Sequence, residues 1–283
     1  MSDPDVPSAS PASLTIVLPA FDEEARLGQA LDELFGYLRR RGQAREGGAP
    51  SEDLGEAWDV LVVDDGSSDG TAALVEARGE YREPWPGRVD ETPPLRLLRI
   101  PHGGKGAAVR AGMLAASADL LVFADADMAT PPDQLPFLTR ALASADIALG
   151  SRIQPDGSDR RASQPLFRRL LGQAFHGLAA AWVTGHVPDT QCGFKGFRRE
   201  AAHDLFARQR LGSIVFDAEL IYLARRRGYR LASVPVQWSD KRGSRMRVRP
   251  GLALRVAWDL FRIPLLHRGV RRGTASAPAQ GTK

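Results

Sequence analysis

Apolar and polar positions in the first half of the chain follow two alternating periods, which predict alternating strands and helices. Five short apolar runs are typical of buried strands, at residues 14–18, 60–63, 95–100, 120–124 and 147–149. Helical patterns lie between them, from about residue 27 to 38, from 71 onward, from 103 to 116 and from 134 to 142. Strands that are apolar throughout and separated by helices predict a mostly parallel sheet, a Rossmann-like α/β fold covered on both faces.

Acidic residues and glycines follow four of these predicted strands. They lie at residues 19–23, 64–67, 102–106 and 125–127. In open parallel sheets, ligands bind outside the carboxyl ends of the strands. We therefore expect the functional site at this edge of the sheet.

Composition narrows the class of protein. The 283 residues are 43% hydrophobic and 25% charged, which excludes a disordered chain, a collagen or a protein with many membrane spans. The first residues are polar and proline-rich, so no secretory signal is expected, and no run reaches the roughly 18 apolar residues of a spanning helix. The single cysteine, Cys192, excludes an internal disulfide and suits a reducing cytoplasmic compartment.

Charge is distributed unevenly although the net value is only +4. Residues 241–283 contain eleven Lys and Arg and one acid, Asp259, and so carry +10, whereas the remaining residues carry −6. A basic end on an acidic body predicts an anionic partner, either nucleic acid or an anionic membrane surface. Nucleic acid is disfavoured because the body is acidic and no helix-turn-helix or RNP-like string occurs.

Asp125-Ala126-Asp127 follows an apolar strand directly, so that two carboxylates are available to one cation. Their hard oxygen donors suit Mg²⁺ or Mn²⁺ together with substrate phosphates. A helix cap or a solvated turn is the structural alternative. The five histidines show no metal-binding spacing, so zinc is not expected.

Two glycine-containing turns carry further polar candidates. Asp65 lies in the turn 64–71, where it can bind a base N–H or a ribose hydroxyl, although a well-made turn alone would explain the pattern. Lys105, in the string 103–106, is a candidate contact for an anionic substrate. That string matches neither a Walker A loop nor a dinucleotide fingerprint, which disfavours an NTPase or a dehydrogenase.

The string 189–197 is compact and aromatic, and a buried turn would explain it without function. Cys192 within it has no matching base or metal partner in sequence, so we interpret it as a small core residue. Asp217 lies at the start of a helical run from residue 216 to 227, where an acid also simply favours the helix dipole.

Seven motifs in the same order resemble family 2 glycosyltransferases of the GT-A fold. They are 18–24, 62–71, 104–112, 123–131, 150–152, 189–195 and 216–220, within residues 14 to 247. Within the family, they are most similar to the dolichyl-phosphate (polyprenyl-phosphate) hexosyltransferases, and to the β-glucosyl branch more than the mannosyl branch. Ala129 stands where mannosyl relatives tend to carry Gln, and Phe21 replaces a frequent Tyr.

The resemblance implies roles for individual residues. The nucleotide of a sugar donor, UDP-glucose or alternatively GDP-mannose, would be held by Pro19, Phe21, Glu23, Asp65, Lys105 and Arg245. Asp125 and Asp127 would hold Mg²⁺ or Mn²⁺ on the donor diphosphate, which makes them catalytic together with Arg152. Arg152 would grip the acceptor phosphate, because guanidinium matches phosphate bidentately. The acceptor and sugar would also contact Asp189, Gln191, Asp217 and Ser244.

The acceptor implied by the resemblance is polyprenyl or dolichyl phosphate, a membrane lipid. The predicted organisation is a disordered N-terminus (1–13), a GT-A domain (14–247), a basic amphipathic membrane-docking segment (248–272) and a disordered tail (273–283). In the docking segment, Leu252, Val256, Leu260 and Ile263 form an apolar stripe, and Pro264 is expected to end the helix. Residues 166–183 are a second candidate for docking at the cytoplasmic face of a membrane. A core-packed amphipathic helix is the alternative for both.

An enzyme acting on a sugar hydroxyl, in polysaccharide or glycolipid synthesis, remains the other possibility within the family. Such an acceptor would need a general base, and Asp217 or Asp189 would be the candidate. The predicted reaction on a lipid phosphate needs none, because that group is largely ionised at pH 7.

Overall fold

The computed structural model describes residues 13–46, 57–84, 92–154, 156, 177, 179–185, 187–239, 250–270 and 273. Its strands are β1 (Leu14–Ala20), β2 (Trp58–Asp64), β3 (Leu95–Arg99), β4 (Leu120–Ala124), β5 (Ile147–Ser151), β6 (Phe194–Arg198) and β7 (Leu231–Pro235). Its α-helices are α1 (Glu24–Glu46), α2 (Thr71–Glu76), α3 (Gly79–Arg82), α4 (Lys105–Ala115), α5 (Leu135–Ala141), α6 (Arg199–Arg208), α7 (Phe216–Arg227) and α8 (Pro250–Leu266). A 3₁₀ turn (Pro132–Gln134) precedes α5, and Ala180–Thr184 forms a π-helical turn.

The seven strands form one sheet in the order β3-β2-β1-β4-β6-β5-β7. β6 is antiparallel to β4 and β5, and the other neighbouring strands are parallel. The predicted mostly parallel sheet is therefore confirmed. The string 189–197, for which a buried turn was one reading, ends in a strand, since Phe194–Arg198 enters the centre of the sheet as β6.

The strands β1, β4, β5 and β6 bury residues of both faces because helices cover the sheet on both sides, whereas the edge strands β3 and β7 are partly exposed. In β1, Ile16 and Leu18 pack with α1 and α5, whereas Val17 faces α4 on the other side. The six apolar residues that predicted a single helical face of α1 are all buried. They are Leu27, Ala30, Leu31, Leu34, Phe35 and Leu38.

β1 extends through Pro19 to Ala20, although the sequence predicted that it would end before the proline. The pairing of β1 with β4 stops at Val17, whereas its pairing with β2 continues to Ala20. A proline lacks the N–H that a second neighbouring strand would need, so it is tolerated where only one neighbour remains.

Helix boundaries differ from the predictions mainly at their ends. α1 continues to Glu46, beyond residue 38, where the predicted helical pattern ended. α2 begins at Thr71 as expected, with Gly70 at the N-cap position. Asp69, which precedes it, accepts a hydrogen bond from the backbone N–H of Thr71.

Helix α8 packs against the core with the stripe that was predicted to face a membrane. Leu260 and Ile263 are fully buried against Val215 and Ala218 near the start of α7, and Val256 packs beside them. The side chain of Leu252 lies outside the described part of the chain. The predicted stripe was therefore assigned to the wrong partner, because a helix with two apolar faces does not disclose in its sequence which one packs inward.

Pro264 lies inside α8, which continues to Leu266, so the prediction that it ends the helix was also wrong. In the last turn, a missing N–H costs only one intrahelical hydrogen bond. Several predictions fall on residues that lie outside the described ranges. These residues are most of the segment 166–183, the stretch 240–249, and both predicted disordered ends apart from Ser13 and Gly273. Among the helices of the described ranges, none is both long and apolar enough to cross a membrane.

Candidate active site

The carboxyl ends of β1, β2 and β4 meet at one edge of the sheet, as predicted. β1 leads to Phe21 and Glu23, β2 to Asp65, and β4 to Asp125 and Asp127. The parallel register of these strands is what brings together residues that are up to about a hundred positions apart.

Asp65 is buried and anchors the glycine turn that precedes α4. Its two carboxylate oxygens accept the backbone N–H groups of Gly103 and Gly104 at 2.8 and 2.9 Å. His102 Nδ1 lies 3.0 Å from the same carboxylate. Gly104 has φ of +90°, a conformation that favours glycine. Asp65 therefore shapes the turn, and its predicted contact with a nucleotide remains a prediction.

Phe21 lies at the end of β1 and stacks on His102, with 4.2 Å between ring centroids and 30° between planes. Both rings are exposed, so the pair offers a flat surface beside Asp65. Such a surface can stack a planar ring such as a nucleobase. Sequence reasoning singled out Phe21 but not His102, because the pair forms only when the ends of β1 and β3 come together.

Pro19 and Glu23 frame this end of the sheet. Pro19 lies within β1, and Glu23 holds Arg26 through two hydrogen bonds of 2.8 and 2.6 Å. Thr71 accepts the backbone N–H of Glu23 at 2.8 Å, which ties the start of α1 to the start of α2.

Lys105 bonds directly to the first aspartate of the pair, with 2.5 Å between Nζ and Asp125 Oδ1. The pKa of Lys105 is raised, since the attraction of Asp125, Asp217 and Asp127 outweighs the burial that lowers it. Gly193 lies against the Asp125 carboxylate and leaves no room for a side chain. The Gly193 carbonyl also accepts the backbone N–H of Asp125 at 3.0 Å.

Asp127 lies two positions after Asp125 in the chain. Its Oδ1 accepts the backbone N–H of Ala129 at 3.0 Å. Burial and the neighbouring Asp125 carboxylate raise the pKa of Asp127. Met128, which follows, adopts a positive φ of 48°, unusual for a residue with a side chain. The turn therefore holds two partly buried carboxylates, and the charge of Asp125 destabilises that of Asp127.

A divalent cation fits this pair. Carboxylate oxygens are hard donors that suit Mg²⁺ or Mn²⁺. The like charges of Asp125 and Asp127 also favour a cation between them. The Lys105 ammonium already provides a positive charge for Asp125. Within the described part of the chain, no group of three or more His, Cys, Asp or Glu residues is arranged to hold a metal. The remaining ligands would have to come from substrate phosphate and water, as is usual for Mg²⁺.

A second buried cation lies behind Lys105. Lys195 on β6 is fully buried, and its Nζ lies 2.5 Å from Asp217 Oδ1 and 2.5 Å from the carbonyl of Cys192. Burial raises the pKa of Asp217, and the attraction of Lys195 and Lys105 offsets part of the rise. Lys195 stands inside a sequence motif, but was not singled out because its partner is 22 residues away.

Arg152 is held in a fixed position by Asp189. Its Nε and Nη2 bond the two carboxylate oxygens at 2.7 Å each, and its backbone N–H bonds Asp189 Oδ2 at 3.0 Å. The guanidinium also lies over the ring of Trp238, 5.6 Å from its centroid. The structure thus brings together two of the residues predicted to contact the acceptor, Arg152 and Asp189, and pairs them with each other.

Gln191 follows Asp189 in the same loop, and its backbone N–H bonds Asp189 Oδ1 at 3.2 Å. Its side-chain Nε2 is buried and has no hydrogen-bond partner among the described residues. Ser244 and Arg245, the other two predicted contacts, lie outside the described residues.

The family model for glycosyl transferase family 2 matches residues 15–206, which include the sheet edge from β1 to β6. The chain belongs to glycosyl transferase family 2. The family resemblance inferred from the ordered motifs is therefore confirmed.

Several dolichyl-phosphate beta-glucosyltransferases are similar to this chain over most of its length. A Trichomonas vaginalis protein named "Dolichyl-phosphate beta-glucosyltransferase ALG5C" is 37% identical over 94% of this chain and 74% of its own length. The Drosophila melanogaster and human proteins named "Dolichyl-phosphate beta-glucosyltransferase" are 35% and 31% identical, each over 86% of this chain and 72% of its own length.

Solved structures show the same fold at lower identity. Glucosyl-3-phosphoglycerate synthase from Mycobacterium tuberculosis in complex with UDP has a TM-score of 0.58 and 20% identity, covering 89% of this chain and 80% of that chain. Its complex with Mn²⁺, UDP and glucosyl-3-phosphoglycerate has a TM-score of 0.57. The predicted GT-A fold class is confirmed.

Proposed function

We propose that this family 2 glycosyltransferase moves glucose from UDP-glucose to polyprenyl or dolichyl phosphate, and so makes a lipid-linked β-glucosyl phosphate. The observation that carries the proposal is the cluster of Asp125, Asp127 and Lys105 beside the exposed Phe21–His102 rings. This arrangement provides adjacent places for a diphosphate and a base. The names of the relatives supply the sugar and the acceptor.

In the proposed complex, the nucleobase stacks on Phe21 and His102, and Pro19, Glu23 and Asp65 surround it. The diphosphate lies near Lys105, at the start of α4, where the helix dipole favours an anion. Asp125 and Asp127 would hold Mg²⁺ or Mn²⁺, which, when bound, neutralises charge on the departing diphosphate. Lys105 then lies within reach of the same anion.

The acceptor is a phosphate monoester that carries its own negative charge, so it needs orientation more than deprotonation. One of its oxygens forms a bond to the anomeric carbon while the bond from that carbon to UDP breaks, and UDP leaves with the electron pair. Direct attack inverts the anomeric carbon, so an α-linked donor gives a β-linked product. Arg152, fixed by Asp189 and Trp238, supplies positive charge for the acceptor, with Gln191 and Ser244 as neighbours.

Transfer to a sugar hydroxyl is the weaker alternative. It requires a general base, and the two candidates are Asp189 and Asp217. Asp189 is bound bidentately by Arg152, and Asp217 is paired with Lys195. Both carboxylates are buried and already accept hydrogen bonds from a cation, so neither is open to a substrate hydroxyl, which counts against this alternative.

The test is product analysis with the purified protein. UDP-glucose, GDP-mannose and UDP-N-acetylglucosamine are each offered with polyprenyl phosphate and Mn²⁺, and products are identified by mass spectrometry and NMR. We expect a β-glucosyl phosphate from UDP-glucose only. Asp127→Ala should abolish transfer while circular dichroism is unchanged, and Asp133→Ala, an exposed aspartate nearby, should retain it. A mannosyl product, or full activity of Asp127→Ala, would overturn the donor or the metal assignment.

We also propose that the protein acts at the cytoplasmic face of a membrane as a peripheral protein, since its lipid acceptor resides there. The excess of basic residues at positions 241–283 supports attraction to anionic lipid.

A further inference from the structure

Helix α8 presents a second apolar stripe that points away from the protein. Its members, Leu254, Trp258, Phe261 and Leu265, are between 50% and 75% exposed. They recur every three or four positions, so at about 100° per residue they lie on one side of the helix. The buried residues Leu260 and Ile263 lie on the opposite side.

The exposed stripe continues onto the π-helical turn through Trp182. The ring of Trp182 stacks on Phe261, with 5.8 Å between centroids and 5° between planes, and its indole N–H bonds the Phe261 carbonyl at 3.2 Å. Phe261 in turn lies 6.0 Å from Trp258. Five of the seven large exposed apolar side chains of the described residues therefore form one surface, here called the α8 aromatic surface. A contiguous patch of this kind marks an interaction site.

We propose that the α8 aromatic surface inserts into the headgroup region of an anionic lipid bilayer. One tryptophan, one phenylalanine and two leucines on one side of α8, with Trp182 stacked beside them, are suited to the boundary between headgroups and acyl chains. Arg255 is exposed beside the stripe and can reach lipid phosphate. The segment 241–283 to which it belongs carries eleven Lys and Arg against one acid. A protein partner would not require this excess of positive charge.

The surface is also connected to the active-site edge through short contacts. Asp259 on the inner side of α8 accepts a hydrogen bond of 2.7 Å from Ser213. The preceding residue, Gly212, accepts the backbone N–H of Gly106, at the start of α4, at 2.9 Å. The helix that would bind the bilayer is thus linked to the start of α4, where Lys105 lies, through Ser213 and Gly212. The choice of a bilayer as the occupant of this surface rests on the proposed lipid acceptor. The exposure of the surface is observed independently of that proposal.

The experiment compares the full-length protein with two variants in vesicle sedimentation. Vesicles contain phosphatidylcholine alone or phosphatidylcholine with phosphatidylglycerol. The wild type should sediment with the anionic vesicles and dissociate as salt is raised. Trp258→Ser/Phe261→Ser should bind about tenfold or more weakly, because two large apolar side chains no longer enter the bilayer. Phe137→Ser, which removes a 47% exposed ring on α5, should bind as the wild type does.

A transfer assay separates this proposal from the proposed function. The double variant should keep its activity on a short-chain prenyl phosphate dispersed in detergent and lose it on the same lipid embedded in vesicles. Wild-type transfer without any vesicle binding would overturn the docking proposal and leave the function intact. Vesicle binding without transfer to any prenyl phosphate would overturn the proposed function and leave the docking proposal intact.

Two other occupants of the surface would also be detected. If the wild type were a dimer in sedimentation velocity and the double variant a monomer, with no vesicle binding by either, the surface would be an interface between two copies. If Trp258 were shielded from a soluble quencher without vesicles, another part of the chain would cover it. Either result would overturn the proposal.

Discussion

His267, just beyond the end of α8, forms a buried hydrogen bond with Glu219 in the first turn of α7. His267 Nε2 lies 2.6 Å from Glu219 Oε1, and the two side chains are 2% and 0% exposed. The Glu219 oxygens also accept the backbone N–H groups of Arg210 and Leu211 at 2.8 and 2.9 Å. One carboxylate therefore ties the C-terminal helix to the loop that packs against the start of α4.

Glu219→Gln should destabilise the protein. The amide keeps the shape but presents N–H groups to backbone donors, so at least one buried donor loses its acceptor at a cost of about 1–3 kcal/mol. Urea denaturation measures the change in the free energy of unfolding. Glu200→Gln, at an exposed position on α6, is the matched control and should change it by less than about 0.5 kcal/mol. Equal values for the two variants would contradict the bracing role of Glu219.

Gly193→Ala should impair sugar transfer without unfolding the protein. A Cβ at this position would overlap the Asp125 carboxylate, which must then turn away from its position beside Asp127. Displacement of a catalytic group by about 1 Å can slow a reaction by about 100-fold. Steady-state kinetics with UDP-glucose and polyprenyl phosphate measure this loss.

Gly79→Ala provides the control for that substitution, because nothing lies within 4 Å of a Cβ added at Gly79. It should keep normal activity. Normal activity in both variants would show that the position of the Asp125 carboxylate does not limit the reaction.

Lys105→Met should increase the affinity of the nucleotide-free protein for Mn²⁺ while it slows transfer. The ammonium group competes with a metal ion for Asp125, from which it lies 2.5 Å away. Its removal should tighten Mn²⁺ binding by about tenfold, or about 1.4 kcal/mol. Titration followed by electron paramagnetic resonance reports free Mn²⁺ directly. Lys105→Arg keeps the positive charge and should bind Mn²⁺ as the wild type does; equal affinity of the Met variant would refute the competition.

Cys192 should be inert in the folded protein over the usual pH range. Burial raises the pKa of its thiol to about 12. The thiolate is the reactive form, so labelling of the folded protein by a disulfide reagent should stay slow, and its rate should still be rising at about pH 10 without reaching a plateau. In urea, the rate should increase about tenfold per pH unit until it levels off near pH 9, where an exposed thiol is ionised. Rapid labelling of the folded protein at pH 8 would show that the thiol is accessible.

Much of the architecture could be predicted because it depends on local patterns. The apolar run at 120–124 coincides with β4, and the helical run at 216–227 coincides with α7. The expectation that polar residues gather at the carboxyl ends of the strands was correct, since parallel register alone enforces it. β6 was not predicted, because a strand inserted antiparallel into the middle of the sheet has no distinguishing local pattern.

The pairing of charges within the site could not be predicted from the sequence. Lys105 bonds Asp125, Lys195 bonds Asp217, and Arg152 bonds Asp189, and the partners are 20, 22 and 37 residues apart. Spacing identifies residues of the right chemistry, but the distances between them are set by the sheet and by the loops that return to it.

The sequence by itself determined the family, the sheet and its functional edge, because these follow from hydrophobic period and from motifs that keep their order. Only the tertiary structure decided which cation neutralises each carboxylate and which side of α8 is left outside. That helix is apolar on two opposite sides, so periodicity alone could not distinguish them. The bonds of Asp259 with Ser213 and of His267 with Glu219 fix its rotation, and Trp258 and Phe261 are exposed as a result.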